Sequence, residues 1–309
     1  MVGTFNDRLN MVNKVIKKLL LVVVILFAAE IASYLDFFGL QISQKDKLTL
    51  PYSYKPIPFE QRYEEAKELG FGKIFGAEKK GKPIVLCISS DAFGDGLEEK
   101  DTFGKKISEE YDVPVYLRSF SGWGMQNMYW QFIRDDFYRE VPEPQAVIVI
   151  YNPYIGYFTY APDVYNTLRY NIKNGEFVRV SDKIMFLNYS YTISKINRII
   201  ADSRCKNIPN TLSEFSTYLL ECKKQSKKHW KNTKFIVVKN IDKQTPDEPE
   251  YWEKLASEGI VNIELSDSLG ANYASKSKYK KSNVNNHPSP KIWQKAVPTL
   301  EKYIVKGQK

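Results

Sequence analysis

Histidine is almost absent from this chain, with two residues, His229 and His287, in 309. Cysteine is scarce too: Cys87, Cys205 and Cys222 are the whole supply. So few nitrogen and sulfur ligands form no metal-ligand spacing, which argues against a zinc centre, and no cofactor is expected. No internal repeat is visible. Lys and Arg outnumber Asp and Glu to give a formal net charge of +9. No nucleic-acid-binding module accompanies those basic residues, so nucleic acid is not expected as a partner. Much of the excess lies in "CKKQSKKHWKNTK" and "KSKYKKS". These read as solvated faces, with an acidic wall polymer or anionic lipid as the alternative contact.

What the chain does have is one long apolar run near its start. Arg8, Lys14, Lys17 and Lys18 precede "LLLVVVILFAAEIASYLDFFGL", Leu19 to Leu40. A bilayer-spanning helix needs about 20 residues, so this run is long enough. The basic residues before it set the N-terminus in the cytoplasm. Glu30 costs about 2.5–3.5 kcal/mol on insertion scales, which the uninterrupted stretch from Leu19 to Ala29 offsets. A cleaved signal peptide is the rival reading, but "FAAE" puts Phe27 where a small residue is wanted. Either reading exports everything after residue 40. The expected organisation is a cytoplasmic tail over 1–18, a single-pass signal-anchor over 19–40, a juxtamembrane connector over 41–80 and one domain over 81–309. Export is compatible with a Cys205–Cys222 bridge, which would leave Cys87 buried in a strand; spacing alone leaves that pairing open.

From Lys82 onward strand-like and helix-like runs alternate. The five strand candidates are "PIVLCIS", "VPVYLRSF", "AVIVIYN", "KFIVVKN" and "VNIELS". Between them "DTFGKKISEEY", "MQNMYWQFIRDDFY", "LSEFSTYLLECKKQSKKHW" and "PEYWEKLASEG" carry helical apolar spacing, and "PKIWQKAVPTLEKYIV" closes the chain. "QRYEEAKEL" reads as a short helix in the connector, and 160–200 as an irregular or helical insertion. The alternation predicts an α/β fold: a mostly parallel five-stranded sheet with helices on both faces. Sites in such sheets lie at the carboxyl ends of the strands.

The stretch "CISSDAFGDGLEEKDTF" falls at such an end. A strand-end serine attacks an ester only with a base to take its proton. His229 lies in a Lys-rich helix end and reads as solvent-facing. His287 lies in "NVNNHPSPKIW", just before the last helix, and is either a structural loop residue or the base. Ser90, or its neighbour Ser89, is either the nucleophile or a turn residue capping the next helix. Gly122 and Asn152 read equally as turn residues. Trp123, Tyr151, Tyr154 and Tyr157 are expected near the site, where aromatic faces suit a sugar ring and ordinary packing explains them as well.

From about Lys82 to the end the chain resembles the SGNH, or GDSL-type, hydrolase family. Its first block, G-D-S-F-T-x-G-x-G, laid on "ISSDAFGDG", puts Ile88 and Ser89 on the Gly-Asp, Ser90 on the nucleophile, and Gly94 and Gly96 on the glycines. "SFSGWG" resembles the second block with Gly122 as its glycine, "IYNPY" the third with Asn152 as amide donor, and "VNNHP" the last with His287 as base. The resemblance implies a flavodoxin-like three-layer α/β/α fold. It further implies a serine esterase or O-acyltransferase, with Ser90 and His287 catalytic and Gly122 and Asn152 holding the oxyanion. Anchored relatives serve cell-surface polysaccharide acetylation, so the implied partners are a carbohydrate or other ester substrate and, through residues 19–40, the membrane. The sequence departs from the pattern twice. The Gly-Asp before the nucleophile is lost, and Val284 stands where an aspartate orients the histidine, leaving Asn285 or Asn286 to hydrogen bond the imidazole. Those departures suit the alternative, a catalytically degenerate binding or scaffold module of an envelope polysaccharide system.

Overall fold

The computed structural model describes residues 12–28, 59–68, 70–94, 96–120, 123–152, 170–173, 176–179, 208–240, 248–270 and 288–307. Helix α1 spans 12–28 and α2 spans Phe59–Glu68. The strands of the main sheet are β1 (Ile74–Phe75), β2 (Ile84–Cys87), β3 (Val115–Arg118), β4 (Ala146–Tyr151), β7 (Lys234–Lys239) and β8 (Ile260–Glu264). A separate two-stranded antiparallel sheet pairs β5 (Tyr170–Lys173) with β6 (Glu176–Arg179).

The main sheet runs β1-β3-β2-β4-β7-β8. All its pairs are parallel except β1–β3. Taken alone, the five parallel strands have the flavodoxin-like order 2-1-3-4-5. The order reverses between β2 and β4, where Ile84 pairs with both Val115 and Ala146. Strands β2 and β4 are buried at every position because helices cover both faces, which is why they read as unbroken Val/Ile/Leu runs.

One face of the sheet carries α4 (Phe103–Tyr111), α9 (Leu265–Leu269), α10 (Pro290–Ala296) and a final 3-10 turn (Val297–Leu300). Ile107, Trp293 and Leu300 pack there against Leu86, Ile148 and Ile236. The other face carries α5 (Met125–Phe132), α6 (Asp135–Glu140), α7 (Ile208–Ser226) and α8 (Pro249–Ser257). Phe132, Leu219 and Leu255 pack there against Val85, Val147 and Val237. Thr102 caps α4 by accepting the Lys105 N–H, which explains the sharp start of that helix. A third cluster joins Tyr63 and Ala66 of α2 to Phe71, Phe120, Trp123 and Trp130, so this connector helix is seated on aromatic rings beside β3.

Several expectations are corrected. The sheet has six strands rather than five, because Ile74 and Phe75 pair antiparallel with Tyr116 and Val115. The expected helix over "MQNMYWQFIRDDFY" breaks into α5 and α6. Arg134 adopts an extended conformation (φ −110°, ψ 128°), and its guanidinium turns back to the Asp136 carboxylate. Within 160–200 the described residues form the β5–β6 hairpin, not a helix. The closing helix stops at Ala296, where Pro298 converts the chain to a 3-10 turn. Cys222 is a buried free thiol on the inner face of α7; Cys205, the other candidate for a bridge, lies outside the described residues.

Part of the expected anchor, 29–40, also lies outside the described residues. Among those described, no helix is long and apolar enough to cross a membrane. Helix α1 nevertheless leaves Leu19 through Phe27 exposed around its whole circumference, each large apolar residue being at least half exposed.

Candidate active site

The carboxyl end of β2 turns abruptly. After four buried strand residues Ile88 takes a left-handed conformation, φ 72°, while only 2% exposed. For a β-branched residue that backbone region costs about 1–2 kcal/mol. Strain of this kind persists only where the surroundings over-determine it, and it clusters at functional sites. Ile88 is also the residue that falls on the first-block glycine, a residue able to adopt positive φ without steric cost. Immediately after it comes the five-residue helix α3 (Ser89–Phe93), with Ser90 as its second residue. The backbone of Ser89 and Ser90 is described, their side chains are not. Gly94 closes α3 at φ +85°, and a Cβ there would meet Thr102 Cγ2 at 2.6 Å.

Asn152 follows β4 directly, on the strand beside β2, and is nine-tenths buried. Its Nδ2 donates to Asp91 Oδ2 at 2.6 Å. Asn240, the residue after β7, donates from its own Nδ2 to the same oxygen at 3.3 Å. The Asn240 backbone N–H meanwhile donates to the Tyr151 carbonyl at 2.7 Å, which extends the β4–β7 ladder by one step. Three strand ends therefore converge on one buried carboxylate at the point where the sheet order reverses, the position at which open α/β sheets bind ligands. An amide that faces a carboxylate must present nitrogen, so the orientation of Asn152 is set, and its Oδ1 is left buried with no hydrogen-bond partner among the described residues.

Of the expected site residues, the structure brings Asn152 and the α3 backbone at Ser90 to neighbouring strand ends. Gly122, His287, Asn285 and Asn286 lie outside the described residues, as do Tyr154 and Tyr157. The chain resumes at Trp123 and Gly124, where the Gly124 N–H donates to Asn127 Oδ1 at 3.1 Å and opens α5. Pro288 and Ser289, both buried, lead from the last block into α10. His229 stands at the opposite, amino edge of the sheet. It stacks on Tyr138 with ring centroids 3.8 Å apart and lies five residues ahead of β7. Trp123 and Tyr151 are not sugar platforms. Trp123 is buried against Tyr63 and Phe71, and Tyr151 is fully buried between Phe215 and Trp252.

Sequence reasoning missed two polar groups at this edge. In the sequence Asp91 reads only as a helix cap or polar loop residue, and Asn240 carries no local signal at all. Beside them Lys239, buried at the end of β7, donates to Glu264 at the end of β8 (2.7 Å) and lies 4.1 Å from the centre of the Trp252 ring. Cys87, beneath the turn, is fully buried, and that burial pushes its thiol pKa up, so it is no nucleophile. Among the described residues no group of His, Cys, Asp and Glu could hold a metal ion.

No protein-family model matches the chain, and no curated protein matches it. Solved structures similar to it include an acetyl xylan esterase from the rumen bacterium Butyrivibrio proteoclasticus, with 12% identity and a TM-score of 0.40 over 72% of this chain and 63% of that one. A protein of the G-D-S-L family from Desulfitobacterium hafniense DCB-2 is 12% identical, with a TM-score of 0.43 over 73% of this chain and 100% of that one. A carbohydrate esterase family 2 enzyme with a carbohydrate-binding domain, from Corynascus thermopiles, is 11% identical, with a TM-score of 0.44 over 73% of this chain and 66% of that one.

Proposed function

We propose that the protein is a membrane-anchored serine esterase or O-acyltransferase acting on acyl esters, acetyl esters foremost, of exported carbohydrate. The observation that carries this reading is the strained left-handed turn at Ile88, which delivers Ser89 and Ser90 to the carboxyl end of β2 beside the Asn152 amide on β4. In the proposed reaction Ser90 Oγ bonds to the acyl carbon while His287 takes the hydroxyl proton. Gly122 N–H and the Asn152 amide stabilise the tetrahedral oxyanion. As the oxyanion collapses, the bond to the sugar oxygen breaks, and that oxygen leaves with the proton from His287. Water or a second sugar hydroxyl then gives its proton to His287 and attacks the acyl carbon. The bond to Ser90 Oγ breaks and Ser90 regains the proton from His287, giving hydrolysis or transfer. The anchor reading is supported by the Leu19–Phe27 part of α1, because a stretch that is apolar all round has no amphipathic face to lay on a soluble core. Lys14, Lys17 and Lys18 at its start favour a cytoplasmic N-terminus.

Reaction with a fluorophosphonate tests the chemistry. The parent is expected to label and to hydrolyse p-nitrophenyl acetate, and Ser90→Ala to do neither. Labelling that survives Ser90→Ala but is lost in Ser89→Ala would move the nucleophile by one residue. A parent inert to both reagents favours the second reading, a non-catalytic carbohydrate-binding module, to which Val284 in place of the histidine-orienting acid already points. For the anchor, the full-length chain is expected to stay in carbonate-washed membranes. A chain shortened by about 30 residues would instead indicate a cleaved signal peptide.

A further inference from the structure

We propose that Asp91 is a positioning residue of this site: its carboxylate, gripped by the Asn152 and Asn240 amides, ties the turn carrying Ser90 to the ends of β4 and β7 and sets which way the Asn152 amide faces. The inference deepens the proposed function and rests on its assignment of Ser90 and Asn152.

Three observations support it. First, Asp91 follows Ser90 directly in α3 and is only 6% exposed, so its carboxylate needs compensating donors in place of water. Second, those donors come from two other strand ends, Nδ2 of Asn152 at 2.6 Å and Nδ2 of Asn240 at 3.3 Å, both meeting Oδ2. The link therefore spans the switch point and does not merely cap a helix. Third, the turn it holds is strained at Ile88, and a helix as short as α3 has little hydrogen bonding of its own to maintain that conformation.

An asparagine amide carries two N–H groups and one oxygen. In this structure one N–H of Asn152 is spent on Asp91, and no further acceptor for that nitrogen is present among the described residues. The second N–H is the group available to an acyl oxyanion. Among the described residues Asp91 is the hydrogen-bond partner that fixes the Asn152 side chain, so loss of the carboxylate frees the amide to turn. Rotation by half a turn would then present Oδ1 where the developing negative charge needs a donor. In this proposal Asp91 acts through Asn152 and through the backbone at Ser90.

The test uses the full-length chain, with p-nitrophenyl acetate turnover and fluorophosphonate labelling as readouts. Asp91→Ala is expected to lower kcat about 10–100-fold, a part of the about 10²–10³-fold that loss of an oxyanion donor costs, with KM held within about twofold. Asp91→Asn, whose side-chain oxygen still accepts from Asn152, is expected to recover kcat to within about fivefold of the parent. A merely structural role would lower the folded fraction and leave kcat per folded molecule unchanged. Turnover of Asp91→Ala within twofold of the parent, or no recovery in Asp91→Asn, overturns the proposal. A second measurement needs no activity: thermal unfolding of Asp91→Ala, Asn152→Ala and the double variant, because Asp91→Asn keeps an acceptor for Asn152. A double shift smaller than the sum of the single shifts is expected, and additive shifts overturn the proposal. If Asp91→Ala fails to fold, turnover of Asp91→Asn more than about fivefold below the parent overturns it instead. A parent inert to fluorophosphonate overturns the assignment of Ser90, and the unfolding cycle then decides the Asp91 link alone.

Discussion

Trp293 lies against Phe103 with ring centroids 4.7 Å apart and planes inclined by 26°, so α10 is stacked directly on the first residue of α4. This contact seats the helix into which the His287 block leads. Trp293 is fully buried, yet its indole N–H meets no acceptor among the described residues. Trp293→Ala is expected to cost about 3–5 kcal/mol in denaturant unfolding, through the cavity it leaves. Trp293→Phe keeps a ring on Phe103 and removes an unpaired buried donor, whose burial costs about 1–3 kcal/mol. It is expected to lie within about 1–2 kcal/mol of the parent, and an equal loss in both variants would refute the importance of the stack.

The Ile88 turn makes a prediction of sign. In most buried positions alanine is more stabilising than glycine, because glycine loses more backbone freedom on folding. At φ 72° the order should reverse, since a Cβ there costs about 1–2 kcal/mol that glycine avoids. Ile88→Gly is therefore expected to unfold at a higher denaturant concentration than Ile88→Ala, by roughly 1 kcal/mol. Both variants should fall below the parent, because each empties the space of a buried isoleucine. Alanine outlasting glycine would show that the turn is not left-handed.

Cys87 and Cys222 are both fully buried on the same face of the sheet, and burial raises each thiol pKa above its ordinary value. The thiolate is the reactive form, so neither should react with a maleimide in the folded protein at pH 7. Peptide mass mapping is expected to find both unmodified under native conditions and both modified in guanidinium. Native labelling of Cys222 would show that α7 is not seated on the sheet as described.

The legible parts of the fold are those with a local signal. Runs such as "AVIVIY" announce a strand buried on both faces, and Pro290 and Pro249 announce helix starts. Strand β1 gave no such signal, since two residues between glycines have no periodicity to read. The break between α5 and α6 was hidden because the apolar spacing runs on through it, while the side-chain contact between Arg134 and Asp136 stops the helix. The Asp91–Asn152–Asn240 cluster was invisible for a different reason. Its members are 61 and 149 residues apart in sequence, and only the parallel register brings their strand ends together. Ser90 could be singled out because it sits in a short block with fixed glycine spacing. Asp91, one position later, carries its meaning only through long-range partners.

The last prediction concerns Val284, which like His287 lies outside the described residues. The resemblance puts an aspartate at this position, where a carboxylate fixes the imidazole tautomer and stabilises the imidazolium formed as the serine is deprotonated. Loss of that acid in a serine–histidine–aspartate site costs about 10⁴ in rate. Among the described residues the Asp91 carboxylate accepts from Asn152 and Asn240 at strand ends. If Ser90 and His287 form the proposed pair, Val284→Asp is expected to raise the rate of fluorophosphonate labelling about tenfold or more, a fraction of the full effect. Val284→Asn is the control, because an amide can orient the ring but cannot balance its positive charge. It is expected to leave labelling near the parent rate. Equal rates in the Asp and Asn variants would mean that position 284 does not face His287, and that Asn285, Asn286 or a backbone carbonyl orients the base instead.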